Sequence, residues 1–213
     1  RTWPATMELA ITAMFLATLA GVWLGIFSAR HAGTWKDALG TTVSLLGLSV
    51  PVFWLGLLAM LLFSLELGWL PAGERGDWRN LVMPACVLAT IPAAFVARVT
   101  RTAVLDTLGQ DFIRTARAKG ASERAVLYRH ALRAALVPVV TMIGVEFAYL
   151  LGGAVLTETV FAWPGIGRYI ATAVLARDYP AIQGSLLVLV AMVMVMNFVV
   201  DLLHYALEPK LRT

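Results

Sequence analysis

The sequence predicts an all-α, polytopic membrane helix bundle with five visible spans. It forms a single transmembrane domain over residues 1–213, with a cytoplasmic coupling segment, 98–133, inside it. Three observations carry this prediction. Hydrophobic residues make up 60% of the chain and charged residues only 14%, against about 25% charged in soluble domains, and the mean hydropathy is +0.79. The apolar residues fall into stretches near the roughly 20 residues that cross a bilayer. The basic residues concentrate between these stretches, on one side.

Each span has its own grounds. Residues 7–29 hold only Glu8, near one end. Residues 41–65 carry no charge and contain Pro51. Residues 81–97 are uncharged but short, and the polar stretch after them can extend the helix; Pro84 and Pro92 lie inside. Residues 134–157 hold a single charge, Glu146. Residues 181–200 are uncharged and run on to Asp201. The prolines are expected to kink their helices rather than end them, because neighbouring helices satisfy the freed carbonyls. Loop 66–80 has mixed charge. Loop 158–180 contains Trp163, Tyr169 and Tyr179, and is expected at the lipid–water interface, where aromatic residues gather.

Orientation follows from the loops. Arg30 and Lys36, the eight basic residues from Arg98 to Arg133, and Lys210 and Arg212 fall on one side of a five-span path. These are twelve of the 17 lysines and arginines. Positive charge is retained on the cytoplasmic side, so segment 98–133 and the C-terminus are expected inside, and residue 1 outside. An outside start with no span before it predicts a further helix ahead of residue 1.

Several classes are excluded. Cys86 is the only cysteine, so no intrachain disulfide forms, and three scattered histidines make no metal-ligand pattern. The opening RTWPATMELA lacks the form of a signal peptide. No Walker A, HExxH or GxSxG motif occurs, so neither ATP hydrolysis nor nucleophilic or zinc catalysis is expected of this chain.

The stretch RTARAKGASERAVLYRHALR, 114–133, has six basic residues and one acid, Glu123. DFIRTARAK has good helix formers and stops at Gly120, a natural residue for a left-handed helix stop. Ser122 stands where an N-cap belongs, ahead of ERAVLYRHALRAALV. The expected form is helix, sharp corner, helix, with the second helix entering the membrane near Pro138. A side chain at Gly120 is expected to clash with the turn. Such a corner suits docking to a cytoplasmic protein; the alternative is a basic surface lying on anionic lipid.

The stretch resembles the cytoplasmic docking loop of ABC-importer permeases, whose general pattern is EAA-xxx-G-x9-I-x-L-P. Ala116, Gly120 and Leu132 fit it. Arg114 and Thr115 stand in place of Glu and Ala, His130 in place of Ile and Arg133 in place of Pro. Those departures match the dipeptide/oligopeptide/nickel branch, which LTETVFAWPGIGRYI, RDYPAIQG, NFVVDLLHYALEPKLR and PATMELA also resemble over nearly the whole chain. Glu208 and Lys210 depart from that branch's usual Asp and Arg.

The resemblance implies a type I importer permease fold with six spans in the full-length family, in a bacterial or archaeal inner membrane. It also implies partners: a second permease subunit, two cytoplasmic ATPase subunits and an external solute-binding protein, with no nucleic acid. ATP and Mg would bind the ATPases and no cofactor would bind this chain. Coupling is expected through Arg114, Thr115, Ala116, Arg117, Lys119, Gly120, Ser122 and Arg124, with Arg114, Arg117, Lys119 and Arg124 pairing either with ATPase acids or with lipid headgroups. An ATP-independent channel or secondary transporter is the competing class.

Four other groups stand out. Glu146 lies about 12 Å into its span at 1.5 Å per residue, where a lone carboxylate costs roughly 2.5–3.5 kcal/mol on insertion scales. It either lines the translocation path or bonds to a partner permease. Asn197 and Asp201 share a helix face with His204 and are expected to make polar contacts between helices. Glu158, Pro164, Gly165 and Gly167 shape either an external gate or an ordinary turn. Met192, Met194 and Met196 are expected to pack or face lipid.

Overall fold

The structure is a computed structural model that describes residues 2–207, with side chains described through Val200 and at Leu202. Among the described residues the chain is built from helices: α1 (Trp3–Arg30), α2 (Trp35–Ser49), α3 (Val52–Glu66), α4 (Trp78–Leu108), α5 (Asp111–Ala118), α6 (Glu123–Val160), α7 (Ile166–Leu175) and α8 (Tyr179–Leu207). Four of them, α1, α4, α6 and α8, are long and apolar enough to cross a membrane.

Helices α2 and α3, which meet at a 98° bend, are together apolar and long enough to count as a fifth crossing if the bent pair is one span. Gly40 of α2 packs on Ser28, whereas α3 reaches Met83 and Phe161 near the opposite end of the bundle. Here the expectation for Pro51 is corrected: the helix ends rather than kinks. Val50 is extended (ψ 125°) and so is Pro51 (ψ 131°), because a proline disfavours helical geometry at the residue before it. Pro84, Pro92 and Pro138 lie inside continuous helices.

The core is a seam of small residues. Ala10, Ala13, Ala17, Gly21 and Gly25 of α1 are buried at helical spacing, and α1 packs more extensively on α4 than any other pair does. A methyl group on Gly21 would lie 2.7 Å from the Ala93 carbonyl oxygen, and one on Gly25 would lie 2.6 Å from that of Ala97. Backbones that approach this closely gain van der Waals contact where lipid supplies no hydrophobic drive. Helix α4 begins with a capping box, as Asp77 accepts from the Arg79 N–H at 2.9 Å and Asn80 accepts from the Asp77 N–H at 3.1 Å, and it extends past residue 97 to Leu108, as the sequence suggests. Helix α8 packs on α6 and α7; Met192 and Met196 touch the core, and Met194 faces outward.

The bundle thus has two ends. One gathers Ala29, Val104, Leu127 and Ala135 beside the α5–α6 corner. The other gathers the start of α1, the end of α6 and the start of α7.

Candidate functional site

The corner forms as the local sequence directs. Gly120 has φ +83°; its N–H donates to the Arg117 carbonyl at 2.9 Å, and the Ala121 N–H donates to that of Ala116 at 3.2 Å. This pair is the Schellman stop of α5. Ser122 accepts from the Ala125 N–H at 3.4 Å and opens α6. Ile113, Val126 and Ala131 are fully buried together and fix one arm to the other. A π-helical stretch, Val126–Ala131, follows before α6 continues as regular helix.

One expectation for the corner is corrected. Nothing lies within 4 Å of a methyl group placed on Gly120. Glycine is required there by the left-handed backbone and not by crowding. Arg117 also has a partner within the chain: its Nε and Nη2 donate to the two Glu123 carboxylate oxygens at 2.9 and 3.1 Å, spanning the corner. Arg114 lies 3.7 Å from Asp111, with both side chains largely exposed. Thr115 donates to the Asp111 carbonyl at 3.1 Å and Ala116 is half-buried, while Lys119, Gly120, Ser122 and Arg124 are exposed. Behind the corner lies a cavity of about 590 Å³, bordered by Arg30, Arg117, Glu123 and Arg124 over Ala29 and Leu127.

At the other end the structure builds a buried polar knot. Glu158 is fully buried. Thr6 donates to its Oε1 at 2.6 Å, and the Arg168 N–H donates to its Oε2 at 3.0 Å. The Thr6 hydroxyl in turn accepts from the Ile166 N–H at 2.9 Å. The first N–H groups of α7 therefore end on a carboxylate from α6 and a hydroxyl from α1, which suits the positive end of a helix dipole. Gly165 and Gly167 have no room for side chains: a methyl group on Gly165 would overlap the Glu158 carboxylate, and one on Gly167 would lie 2.6 Å from Val155 Cα. Pro164 is exposed beside them.

Trp163 overturns its placement at the lipid–water interface. It is 1% exposed, and its Nε1–H donates to the Ala5 carbonyl at 2.8 Å, so the indole pins loop 161–165 to α1. Tyr169 and Tyr179 face outward. Glu146 is buried, with no hydrogen-bond partner for Oε2. Asn197 is exposed on α8; the side chains of Asp201 and His204 lie outside the described residues, as do Glu208, Lys210 and Arg212. Sequence reading missed the clamp between Asp37 and Arg101, whose Nε and Nη2 each donate to it at 2.7 Å. The signal available was an acid just inside an apolar helix.

Comparison with known proteins fits this architecture. The family described as binding-protein-dependent transport system inner membrane component matches residues 21–213. The dipeptide transport system permease protein DppB of Alkalihalophilus pseudofirmus is 42% identical, over 99% of this chain and 72% of its own length. The glutathione transport system permease protein GsiC of Salmonella paratyphi A is 44% identical, over 97% of this chain and 68% of its own. In fold, the chain resembles the inward-facing MetNI methionine ABC transporter, with a TM-score of 0.81 at 19% identity over 96% of this chain and 93% of that one. An amino acid ABC transporter gives 0.75 at 13% identity, over 96% and 92%. The protein is a multi-pass inner-membrane transport subunit, not an enzyme, and a permease of this kind works with ATPase and substrate-binding partners. It belongs to the family of binding-protein-dependent transport system inner-membrane components.

Proposed function

We propose that this chain is the permease subunit of an ATP-driven importer of peptides or a related small solute. It pairs with a second permease subunit, identical or different, and takes cargo from an external binding protein. Relatives named for dipeptide, di/tripeptide and glutathione transport support cargo of that size. Two cytoplasmic ATPase subunits bind ATP and Mg; this chain binds neither. The concentration of basic residues supports an orientation with the corner and the C-terminus in the cytoplasm.

The observation that carries the reading is the corner. It is rigid by construction, projects exposed basic side chains and is continuous with membrane helix α6. An ATPase surface bearing acids fits Arg114, Lys119 and Arg124, and the cavity behind the corner adds Arg30. Glu146, with one buried oxygen unpaired, needs a donor, since burial without one costs free energy. A hydrated path or a second permease subunit supplies it. Asn197 and Asp201 belong with the same path or interface, and Glu158 with its neighbouring loop holds the external gate in shape.

Two measurements test this. Cysteines at Ser122 and Tyr179, with Cys86 replaced, should label from opposite faces of intact cells; labelling of position 122 from outside rejects the orientation. Gly120→Val should leave insertion intact while reducing both recovery of the ATPase and transport in proteoliposomes. Normal recovery and normal transport reject the corner as the coupling element.

A further inference from the structure

We propose that the groove between α2 and α4 is a binding site for the headgroup of an anionic phospholipid. The groove encloses about 250 Å³. That is below the roughly 300–1,000 Å³ of pockets that swallow a whole drug-sized ligand, and suits a headgroup whose chains stay outside. Its walls change character in one direction. Toward the corner end they present Ser28 of α1, Thr41 of α2, and Arg98, Arg101 and Thr102 of α4. Toward the middle of the bundle they present Leu45 and Leu48 of α2 against Ala94 and Ala97 of α4. On α4 the passage from Thr102 to Ala94 covers about 12 Å at 1.5 Å per residue, the scale on which a headgroup gives way to acyl chain. A soluble anion has no use for the apolar half.

The charges favour an anion. Asp37 occupies Nε and Nη2 of Arg101, and the Gly33 N–H also donates to Asp37, at 3.1 Å. Nη1 of Arg101 stays outside that pairing. Arg98 is exposed, with its guanidinium 5.5 Å from the centre of the Phe95 ring. Two guanidiniums therefore stand against one carboxylate, and the hydroxyls of Ser28, Thr41 and Thr102 add short donors. This arrangement matches a phosphate diester at the level of the headgroups. In the proposed orientation the groove opens to the inner leaflet, where anionic lipid collects. Only that placement rests on the transport reading.

The test uses the intact transporter purified in detergent with equal amounts of phosphatidylglycerol and phosphatidylcholine, and reads retained lipid by native mass spectrometry. Phosphatidylglycerol should be retained preferentially. Arg98→Gln should lower its retention about fivefold, the effect of removing one basic residue near anionic lipid; Thr102→Val should lower it less, and Arg98→Lys should restore most of it. Arg114→Gln, on the corner, should leave it unchanged. Equal retention of both lipids, unchanged retention in Arg98→Gln, or displacement of the lipid by soluble glycerol phosphate would each overturn the proposal. Orientation does not enter a measurement in detergent, so failure here leaves the transport reading standing, and failure of the labelling experiment leaves the groove standing.

Discussion

The two ends of the bundle are held by opposite means. At the knot, Glu158, Thr6 and Trp163 are buried, and each of them is paired with a group from another helix or loop. At the corner, a Schellman stop, one N-cap and an exposed ion pair stand on a three-residue apolar base. The first arrangement draws its strength from groups far apart in the chain. The second draws its shape from consecutive residues. Stability and geometry are therefore separable in this protein: the knot keeps the bundle closed, and the corner keeps an angle.

Substitutions can set the two ends apart. The largest effect is expected from Trp163→Ala, which removes a fully buried indole and its hydrogen bond, at a cost of about 3–5 kcal/mol. Thermal unfolding in detergent should show a drop of roughly 10 °C; a drop of a degree or two would mean that the loop is not anchored there. Glu158→Gln turns an acceptor toward N–H groups into a donor and should cost about 1–3 kcal/mol. ATPase binding should persist in whatever folded protein remains. Gly120→Val should cost about 1–2 kcal/mol through the left-handed backbone alone and yet reduce ATPase recovery more than either knot variant. Because nothing crowds that position, Gly120→Asn, which tolerates the same φ, should restore most of the recovery; equal loss in Asn and Val variants would show that contact, and not angle, matters. Least affected should be Arg117→Ala, since exposed ion pairs contribute about 0–1 kcal/mol. A large loss of stability there would shift the weight of the corner from its glycine to its salt bridge.

The same division explains what the sequence disclosed. Gly120 and Ser122 act within a few residues of themselves, so the helix–corner–helix form could be read directly, and the spans followed from the length of their apolar runs. Thr6 and Glu158 are 152 positions apart and Asp37 and Arg101 are 64 apart; no local pattern connects them. Trp163 was misplaced because an aromatic in a loop between spans has the composition of an interface anchor, while its partner, the Ala5 carbonyl, is a backbone group invisible to composition. Pro51 was misread for a related reason: whether a proline bends or ends a helix depends on the packing around it. Here α2 and α3 follow different neighbours, Ser28 on one side and Phe161 on the other.

The close seam between α1 and α4 has a mechanical consequence. With carbonyl oxygens of α4 and the side chains of Val96 and Thr100 pressed against Gly21 and Gly25, the two helices interlock and pack as a single plank. One end of that plank runs directly into the corner through Leu108; the other carries Thr6 and the Ala5 carbonyl into the knot. A displacement imposed on the corner would have to move α1 and α4 together, and with them Thr6, on which the first N–H of α7 rests.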